Sequence, residues 1–278
     1  MRVLALSDVH ADYEPNRRWL TQISDVDHQE DVLLLAGDVT DKLDLLEQTL
    51  GSLRRKFAQV FFVPGNHELW DRETRYADAV TKFEVILERC AALDIHTEPS
   101  TVEGVRIVPL FSWYTRPEEG ADSLYVEKKS EDITFTAWAD DYLVRWPDFP
   151  HAGGAAAHFL ARNEPRLQPT DDVPTISFSH FLPRRDLMMR TAAEIRSQGA
   201  GAADPNPHFN FSRVAGTNAL ERQIRVLRPA VHVYGHQHRN RWREVDGIVY
   251  ASHCLGYPAE RKRMPSAAID GPLVVWED

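Results

Sequence analysis

The chain has 278 residues, of which 43% are hydrophobic and 27% are charged, as is usual for a globular protein. This length allows one large domain or two small ones with a substantial buried core. The formal net charge of −10 makes stable nucleic-acid binding an unexpected function, because such binding depends on clustered Lys and Arg. It does not exclude a small anionic substrate, since two bound divalent ions would offset about four negative charges locally.

The cysteines and the hydropathy pattern set further limits. Cys90 and Cys254 each lie in an apolar pattern, which indicates buried free thiols rather than a disulfide framework or a zinc site. No apolar run approaches the roughly 20 residues that a membrane-spanning helix needs. No basic region followed by a signal-like apolar core opens the chain. We therefore expect a soluble, cytoplasmic protein that does not bind membranes, and no sequence pattern indicates its oligomeric state.

The first hundred residues alternate between strand and helix patterns. Apolar runs at 3–6, 32–36 and 60–63 predict buried strands, and amphipathic helical patterns follow each of them. This alternation implies a largely parallel sheet with right-handed crossovers. Further strands are predicted by apolar runs at 105–110, 175–178, 230–234, 248–252 and 273–276. So many strands predict an α/β fold in which two sheets pack together with helices outside.

Two segments interrupt this alternation. Residues 112–170 are rich in acidic and aromatic side chains, and residues 183–216 include two methionines and a run of small residues at 199–203. Each segment lies between strands, so either could fold over a cleft as a cap. The alternative is a surface insertion whose aromatic side chains pack on the core. We predict a single domain spanning 1–278 that carries these two insertions.

Polar clusters directly follow five of the apolar runs. They are Ser7-Asp8-Val9-His10, Gly37-Asp38-Val39-Thr40-Asp41, Gly65-Asn66-His67-Glu68, Ser179-His180 and Gly235-His236-Gln237-His238. If each run is a buried strand, the loops at one sheet edge converge, and α/β folds place their ligands at that edge. The clusters therefore predict that side chains of metal-ligand type meet in one cleft and form a hydrolytic metal site.

The chemistry of the clusters indicates which metals would bind. Asp8 and His10 are two residues apart, so both side chains point the same way if the chain stays extended there. A carboxylate together with imidazoles suits Zn²⁺, Mn²⁺ or Fe better than Ca²⁺ or Mg²⁺ alone. Asp38 has two oxygens and could bridge two metals, while Gly37 permits a tight turn before it. Asn66 offers a neutral carbonyl oxygen.

Taken in order, Asp-x-His, Gly-Asp-x-x-Asp, Gly-Asn-His-Glu, a lone His and Gly-His-x-His resemble the motifs of the calcineurin-like metallophosphoesterase family. The resemblance covers the N-terminal third and residues from about 175 to 256, and it leaves both insertions uncovered. It implies a four-layer αββα sandwich, with two mixed β-sheets flanked by helices and a dinuclear metal centre at the strand ends.

The resemblance also assigns roles by position. The first metal would be held by Asp8, His10, Asp38 and His238, and the second by Asp38, Asn66, His180 and His236. His67 matches the family's catalytic histidine, which faces the phosphate without binding metal. Asp41 matches a residue that hydrogen-bonds this histidine in the phosphoprotein phosphatase branch, although a solvated carboxylate at a helix start fits equally well. The candidate substrate contacts are Asn66, His67 and Arg239, with a surface role as the alternative for Arg239.

The mechanism that the resemblance implies uses two Mn, Fe or Zn ions. They would share a hydroxide that attacks phosphorus in line, while His67 protonates the leaving oxygen. Two specialised branches fit less well. Asp41-Lys42-Leu43 replaces the Asp-Arg-Gly of phosphoprotein phosphatases, and Asp41 stands where purple acid phosphatases place a metal-binding Tyr.

The expected function is therefore a metal-dependent phosphoesterase that acts on a small phosphate ester of unknown identity. One alternative is a phosphodiesterase that acts on cyclic nucleotides or nucleic-acid ends. The other is a non-catalytic relative that serves as a protein-binding module. Such a relative is expected to lose ligands or the catalytic histidine, and this chain retains the whole set.

Overall fold

In a computed structural model, the structure describes residues 1–132, 134, 136–150, 153–170, 172–192, 195–196, 206–263 and 269–277. Within these residues the chain forms two mixed β-sheets with flanking helices. Buried apolar side chains from both sheets belong to one hydrophobic cluster, which includes Leu34 and Phe61 of the first sheet and Ile176 and Val233 of the second. The predicted packing of two sheets with helices outside is confirmed.

The first sheet contains four strands in the order β10-β1-β2-β3. Strands β1 (Arg2–Leu6), β2 (Val32–Ala36) and β3 (Gln59–Val63) run parallel, and β10 (Leu273–Glu277) pairs antiparallel with β1. All five residues of β2 are buried, because the strand lies between neighbours in a sheet covered on both faces. This arrangement places the carboxyl ends of β1, β2 and β3 at one edge.

The second sheet contains six strands in the order β4-β5-β6-β7-β9-β8. They are β4 (Ser100–Val102), β5 (Val105–Pro109), β6 (Thr175–Phe178), β7 (Val231–Val233), β8 (Arg241–Val245) and β9 (Ile248–Ser252). Strands β4 and β8 were not predicted from the sequence. Strand β8 is an edge strand of sequence Arg-Trp-Arg-Glu-Val with side chains that are only partly buried or exposed, so no apolar run marks it.

Helices follow each of the three parallel strands of the first sheet. They span Glu14–Gln22, Leu43–Lys56 and Ala79–Ala92, each after the strand that the sequence predicts it to follow. The N-cap residue of the last of these is Asp78, whose carboxylate accepts a hydrogen bond of 2.7 Å from the backbone N–H of Thr81. The remaining α-helices of the described chain are Asn66–Leu69, Asp140–Leu143, Gly154–Asn163, Asn218–Leu227 and Pro258–Arg263. None of the described helices is long and apolar enough to cross a membrane.

The first insertion packs its aromatic side chains into the molecule. Trp113 and Tyr114 are each 4% exposed. Phe159 lies on the helix Gly154–Asn163, and its ring centroid is 4.9 Å from that of Phe83. The second insertion is described only in part, and the run of small residues at 199–203 lies outside the described residues. Packing on the core therefore accounts for part of the aromatic content of the first insertion, whereas Tyr142 is 59% exposed, and the cap over the cleft stays a prediction.

Candidate metal centre and active site

The ends of five strands from both sheets come together at the site. The imidazole Nδ1 of His180, after β6, lies 2.9 Å from the carbonyl oxygen of Ala36 at the end of β2. The backbone N–H of His236, after β7, donates to both carboxylate oxygens of Asp8, at 3.0 and 3.1 Å. These hydrogen bonds hold the loops of the two sheets against each other, as the predicted convergence of the clusters requires.

The predicted metal ligands form two groups. Potential ligand atoms of Asp8, His10, Asp38 and His238 all lie within 4.8 Å of one another, and so do those of Asp38, His180 and His236. Asp38 belongs to both groups, which is the position expected of a bridging carboxylate. The amide oxygen of Asn66 joins the second group, because it lies 3.2 Å from Nε2 of His180. Six of these seven residues are buried, and His238 is partly buried.

The hydrogen bonds of two imidazoles determine which nitrogens face the centre. A carbonyl oxygen only accepts, so Nδ1 of His180 carries a proton toward Ala36 and its Nε2 keeps a lone pair. By the same logic, Nε2 of His236 donates to the carbonyl of Val214 at 3.0 Å and its Nδ1 keeps a lone pair. Burial lowers the pKa of both imidazoles, which favours their neutral forms.

Several electron-pair donors therefore point at one another in the second group. Nε2 of His180 lies 3.2 Å from Nδ1 of His236 and 3.4 Å from a carboxylate oxygen of Asp38. With Asp38 ionised, none of these atoms carries a proton that could satisfy the others, and a cation between them would. This chemistry fits a transition-metal ion with mixed nitrogen and oxygen ligands.

In the first group, a carboxylate orients the ligand histidine. Glu260 accepts a hydrogen bond of 2.7 Å from Nδ1 of His238. Nε2 of His238 is thereby directed toward Asp8, 3.3 Å away, and toward Nε2 of His10, 2.9 Å away. A carboxylate on the outer nitrogen is typical of metal-bound imidazoles, because it fixes the ring orientation and increases ligand basicity. Sequence reasoning missed Glu260, since no motif connects it to His238.

The centre also concentrates negative charge. Burial raises the pKa of Asp38 well above its ordinary value, and the nearby carboxylates of Glu68 and Asp8 raise it further. The cause is that anions in a low-dielectric site destabilise one another. A bound cation would remove this repulsion, so the electrostatics of the site agree with its ligand geometry.

The backbone at five of the seven proposed ligands lies in the left-handed region. The φ angle is 50° at Asp8, 41° at His10 and 57° at Asp38, a conformation that costs non-glycine residues on the order of 1–3 kcal/mol. The extended segment considered for Asp8 and His10 is therefore wrong. The backbone N–H groups of Asp8 and His10 donate to the carbonyls of Gly37 and Asp38, at 2.9 and 3.0 Å, and this pairing with the neighbouring loop sets the conformation.

Glu68 stabilises this strained backbone through hydrogen bonds to its carboxylate. Its carboxylate is 1% exposed. It accepts backbone hydrogen bonds from Asp38, Val39, Thr40 and Gly65, at 2.9, 2.5, 3.0 and 2.6 Å. The loop after β2 and the loop after β3 are thus tied to one buried anion. The motif Gly65-Asn66-His67-Glu68 assigns no role to Glu68, although an acid inside a ligand motif is a signal for such a contact.

His67 borders the centre without joining either ligand group. Its backbone N–H donates to Asp38 at 3.0 Å, and its Nε2 lies 3.8 Å from the other oxygen of that carboxylate. The ring packs on Trp70, with centroids 3.6 Å apart, and Nε2 lies 3.2 Å from the hydroxyl of Tyr257. Burial lowers the pKa of His67, so the neutral imidazole predominates at pH 7.

Two further predicted site residues have other contacts. The carboxylate of Asp41 pairs with Arg72 and is only 7% exposed. Within the described chain no hydrogen bond joins Asp41 to His67, so the contact considered from the phosphatase resemblance is not formed. Asp41 is not a solvated carboxylate either. Arg239 is exposed, and its backbone carbonyl accepts a hydrogen bond from the hydroxyl of Ser252. The catalytic role of Asp41 and the substrate contact of Arg239 stay predictions.

Comparison with known proteins identifies the class. The family model for calcineurin-like phosphoesterases matches residues 1–240. The chain therefore belongs to the calcineurin-like phosphoesterase family, and it is a metallophosphoesterase, a hydrolase of phosphate esters. The family and fold predicted from the strand-end motifs are confirmed.

A characterised relative is similar over most of the chain. The [acyl-carrier-protein] phosphodiesterase PptH of Mycobacterium tuberculosis is 27% identical over 279 residues, which covers 94% of this chain and 80% of the relative. The crystal structure of the phosphopantetheinyl hydrolase PptH from Mycobacterium tuberculosis matches with a TM-score of 0.73 at 24% identity. That match covers 100% of this chain and 96% of the other, so the fold is shared over the full length described.

Proposed function

We propose that this protein is a metal-dependent phosphodiesterase that removes a phosphopantetheinyl group from a carrier protein. The reaction would hydrolyse the phosphodiester through which that group is joined to the protein. The similarity to PptH over 94% of this chain supports the substrate class. The aromatic side chains around His67 are the observation that favours a diester substrate over a monoester substrate.

The proposed cofactor is a pair of Mn, Fe or Zn ions. One ion would be held by Asp8, His10, Asp38 and His238, and the other by Asp38, Asn66, His180 and His236. When bound, two such ions supply a nucleophile at neutral pH and neutralise charge on the phosphoryl oxygens. The donor atoms that converge without protons support this assignment.

His67 is the proposed general acid. Its Nε2 lies 3.8 Å from Asp38, close enough to the centre to meet the oxygen that leaves phosphorus. In its protonated form the imidazole would transfer a proton to the leaving alkoxide and return to the neutral form that predominates in the free site, and such a step contributes roughly 10²–10⁴-fold to the rate. The hydroxyl of Tyr257, 3.2 Å from Nε2, provides a second hydrogen-bond donor on the same side.

The rim beside His67 is aromatic. Trp70 packs against the His67 ring, and Tyr257 packs 4.3 Å from the ring of His10. Tyr13 lies 5.5 Å from Tyr257 and is 46% exposed. A diester carries one negative charge and an organic group on each side of phosphorus, so uncharged aromatic faces suit it better than they suit a dianionic monoester.

This proposal replaces the small substrate expected from the sequence with a protein-bound one. The name of PptH refers to an acyl carrier protein, whereas the strand-end motifs alone carry no information on substrate size. The complete ligand set speaks against a purely protein-binding relative, because such a relative has no need for seven converging donors.

The test is release of the group from a carrier protein. The protein is loaded with Mn²⁺, Fe²⁺ or Zn²⁺ in turn and incubated with phosphopantetheinylated acyl carrier protein, and intact-protein mass spectrometry measures the loss of the group. Rates on bis(4-nitrophenyl) phosphate and 4-nitrophenyl phosphate are compared in parallel. Release together with faster diester hydrolysis supports the proposal. No release, or faster hydrolysis of cyclic nucleotides or nucleic-acid ends, would overturn it.

A further inference from the structure

A buried carboxylate of the first insertion touches the proposed metal centre. Asp140 begins the short helix Asp140–Leu143 and is 4% exposed. One of its oxygens accepts hydrogen bonds from the amide nitrogen of Asn66 at 3.0 Å and from the indole of Trp70 at 2.6 Å. The other accepts from the hydroxyl of Tyr114 at 3.2 Å. No strand-end motif includes this residue.

The contact decides which end of the Asn66 amide faces the metals. An amide has an oxygen that accepts and a nitrogen that donates, and the two ends exchange places when the group turns over. Because an ionised carboxylate only accepts, Asp140 holds the nitrogen of Asn66 on its own side. The amide oxygen is then directed to Nε2 of His180, 3.2 Å away, where the second group of ligands converges.

A second contact of the same insertion reaches the same group. The indole of Trp138 donates to the hydroxyl of Tyr114 at 3.0 Å, which links it to Asp140. The Trp138 ring meets the ring of His236 edge-on, with centroids 5.9 Å apart. The insertion thus contacts Asn66 and His236, which are two ligands of the same proposed metal.

We propose that Asp140 is a positioning residue that holds Asn66 as an oxygen ligand of the second metal. The first insertion thereby completes one half of the active site. This inference rests on the dinuclear centre of the proposed function. It predicts that loss of the Asp140 carboxylate weakens the second metal site selectively, since the first group shares only Asp38 with it.

Metal titration of the metal-free protein with Mn²⁺ tests the inference, with isothermal titration calorimetry and elemental analysis as readouts. Wild type should bind two equivalents. Asp140→Ala should keep one tight equivalent and bind the second at least about 10-fold more weakly, the usual effect of losing a group that orients a ligand. Asp140→Asn, which retains an oxygen for Asn66 and Trp70, should recover most of this affinity.

Asp141→Ala is the matched control. This neighbouring carboxylate pairs with Arg116, and 32% of its side chain is exposed. The control should bind both equivalents as wild type does. Thermal unfolding establishes that each variant is folded. If alanine unfolds the protein, Asp140→Ser replaces it, because serine leaves a hydroxyl for Trp70 or Tyr114 but no carboxylate within reach of Asn66.

The possible outcomes separate this inference from the proposed function. Unchanged affinity for both equivalents in Asp140→Ala, or an equal loss at both sites, would overturn the role of Asp140 while wild type still binds two metals and cleaves diesters. A wild-type protein that binds only one equivalent would instead contradict the dinuclear centre itself. Selective loss of the second equivalent, with recovery in Asp140→Asn, supports the inference.

Discussion

The hydroxyl oxygen of Tyr257 lies 3.2 Å from Nε2 of His67, at the edge of a cluster of buried ligands. Tyr257 lies beyond residues 1–240, which the family model covers. Its backbone N–H donates to Glu260 at 2.9 Å, and the same carboxylate accepts from His238. One glutamate therefore positions both a proposed metal ligand and the hydroxyl beside the proposed general acid.

Replacement of Tyr257 by Phe should slow only reactions with poor leaving groups. The variant keeps the ring against His10 and removes the hydroxyl that assists His67. Loss of a hydrogen bond to developing charge costs about 1.5–3 kcal/mol, which corresponds to roughly a 10- to 100-fold slower alkyl phosphodiester hydrolysis. The rate on bis(4-nitrophenyl) phosphate should stay within about twofold, since nitrophenolate leaves without a proton. Tyr13→Phe serves as control, and equal losses on both substrates would contradict the prediction.

Replacement of His67 by Ala should leave two metal equivalents bound and remove most of the turnover. His67 contacts Asp38 through its backbone N–H, which alanine retains. The expected loss on an alkyl diester is roughly 10²–10⁴-fold, the usual contribution of a general acid. Elemental analysis and steady-state kinetics measure the two quantities separately. His208→Ala, at an exposed position, is the control, and an undiminished rate on the alkyl diester would rule out the proposed role.

Replacement of Gly65 by Ala should disturb both metal sites together. A Cβ at this position would lie 2.2 Å from a carboxylate oxygen of Asp38 and 2.8 Å from the ring of His180. Asp38 must move to relieve this overlap, and it is shared by both ligand groups. We expect at least about a 10-fold loss of affinity for each equivalent. Calorimetric titration measures it, and Gly271→Ala, which meets nothing within 4 Å, is the control. A single weakened site would argue against sharing of Asp38.

His232 should make the protein less stable in acid. Its buried imidazole lies between the hydroxyls of Ser177 and Ser179, at 2.8 and 3.1 Å, and burial lowers its pKa to about 3. An unfolded histidine binds a proton near pH 6.5, whereas the folded one does not until about pH 3, so stability falls as the pH drops between these values.

The difference amounts to roughly 2–3 kcal/mol between pH 6.5 and pH 4.5. Urea unfolding at both pH values measures this quantity for wild type and for His232→Asn, which keeps polar contacts and does not titrate. The variant should lose less stability over the interval by about that amount. Identical losses in the two proteins would show that His232 does not contribute.

Much of the fold and of the site was predictable, because local patterns of apolar and polar residues mark the strands and the ligand loops that follow them. Strand β2 is a continuous apolar run that ends in Gly37-Asp38, and the same arrangement recurs at the other ligand loops. Strand β8 was not predictable, because it lies at an edge and three of its five residues are charged. The left-handed backbone at Asp8 was also missed, because a hydrogen bond from a neighbouring loop sets it.

The sequence by itself determined which side chains meet and in what order, since backbone pairing aligns the ends of parallel strands and the ligands directly follow those ends. Only the tertiary structure decided how each ligand is presented. The amide nitrogen of Asn66 donates to Asp140, 74 positions away, and the amide oxygen is therefore directed toward the centre. Nε2 of His238 faces the centre because Nδ1 of the same ring is hydrogen-bonded to Glu260. These orientations depend on hydrogen bonds between distant segments, which local sequence patterns do not encode.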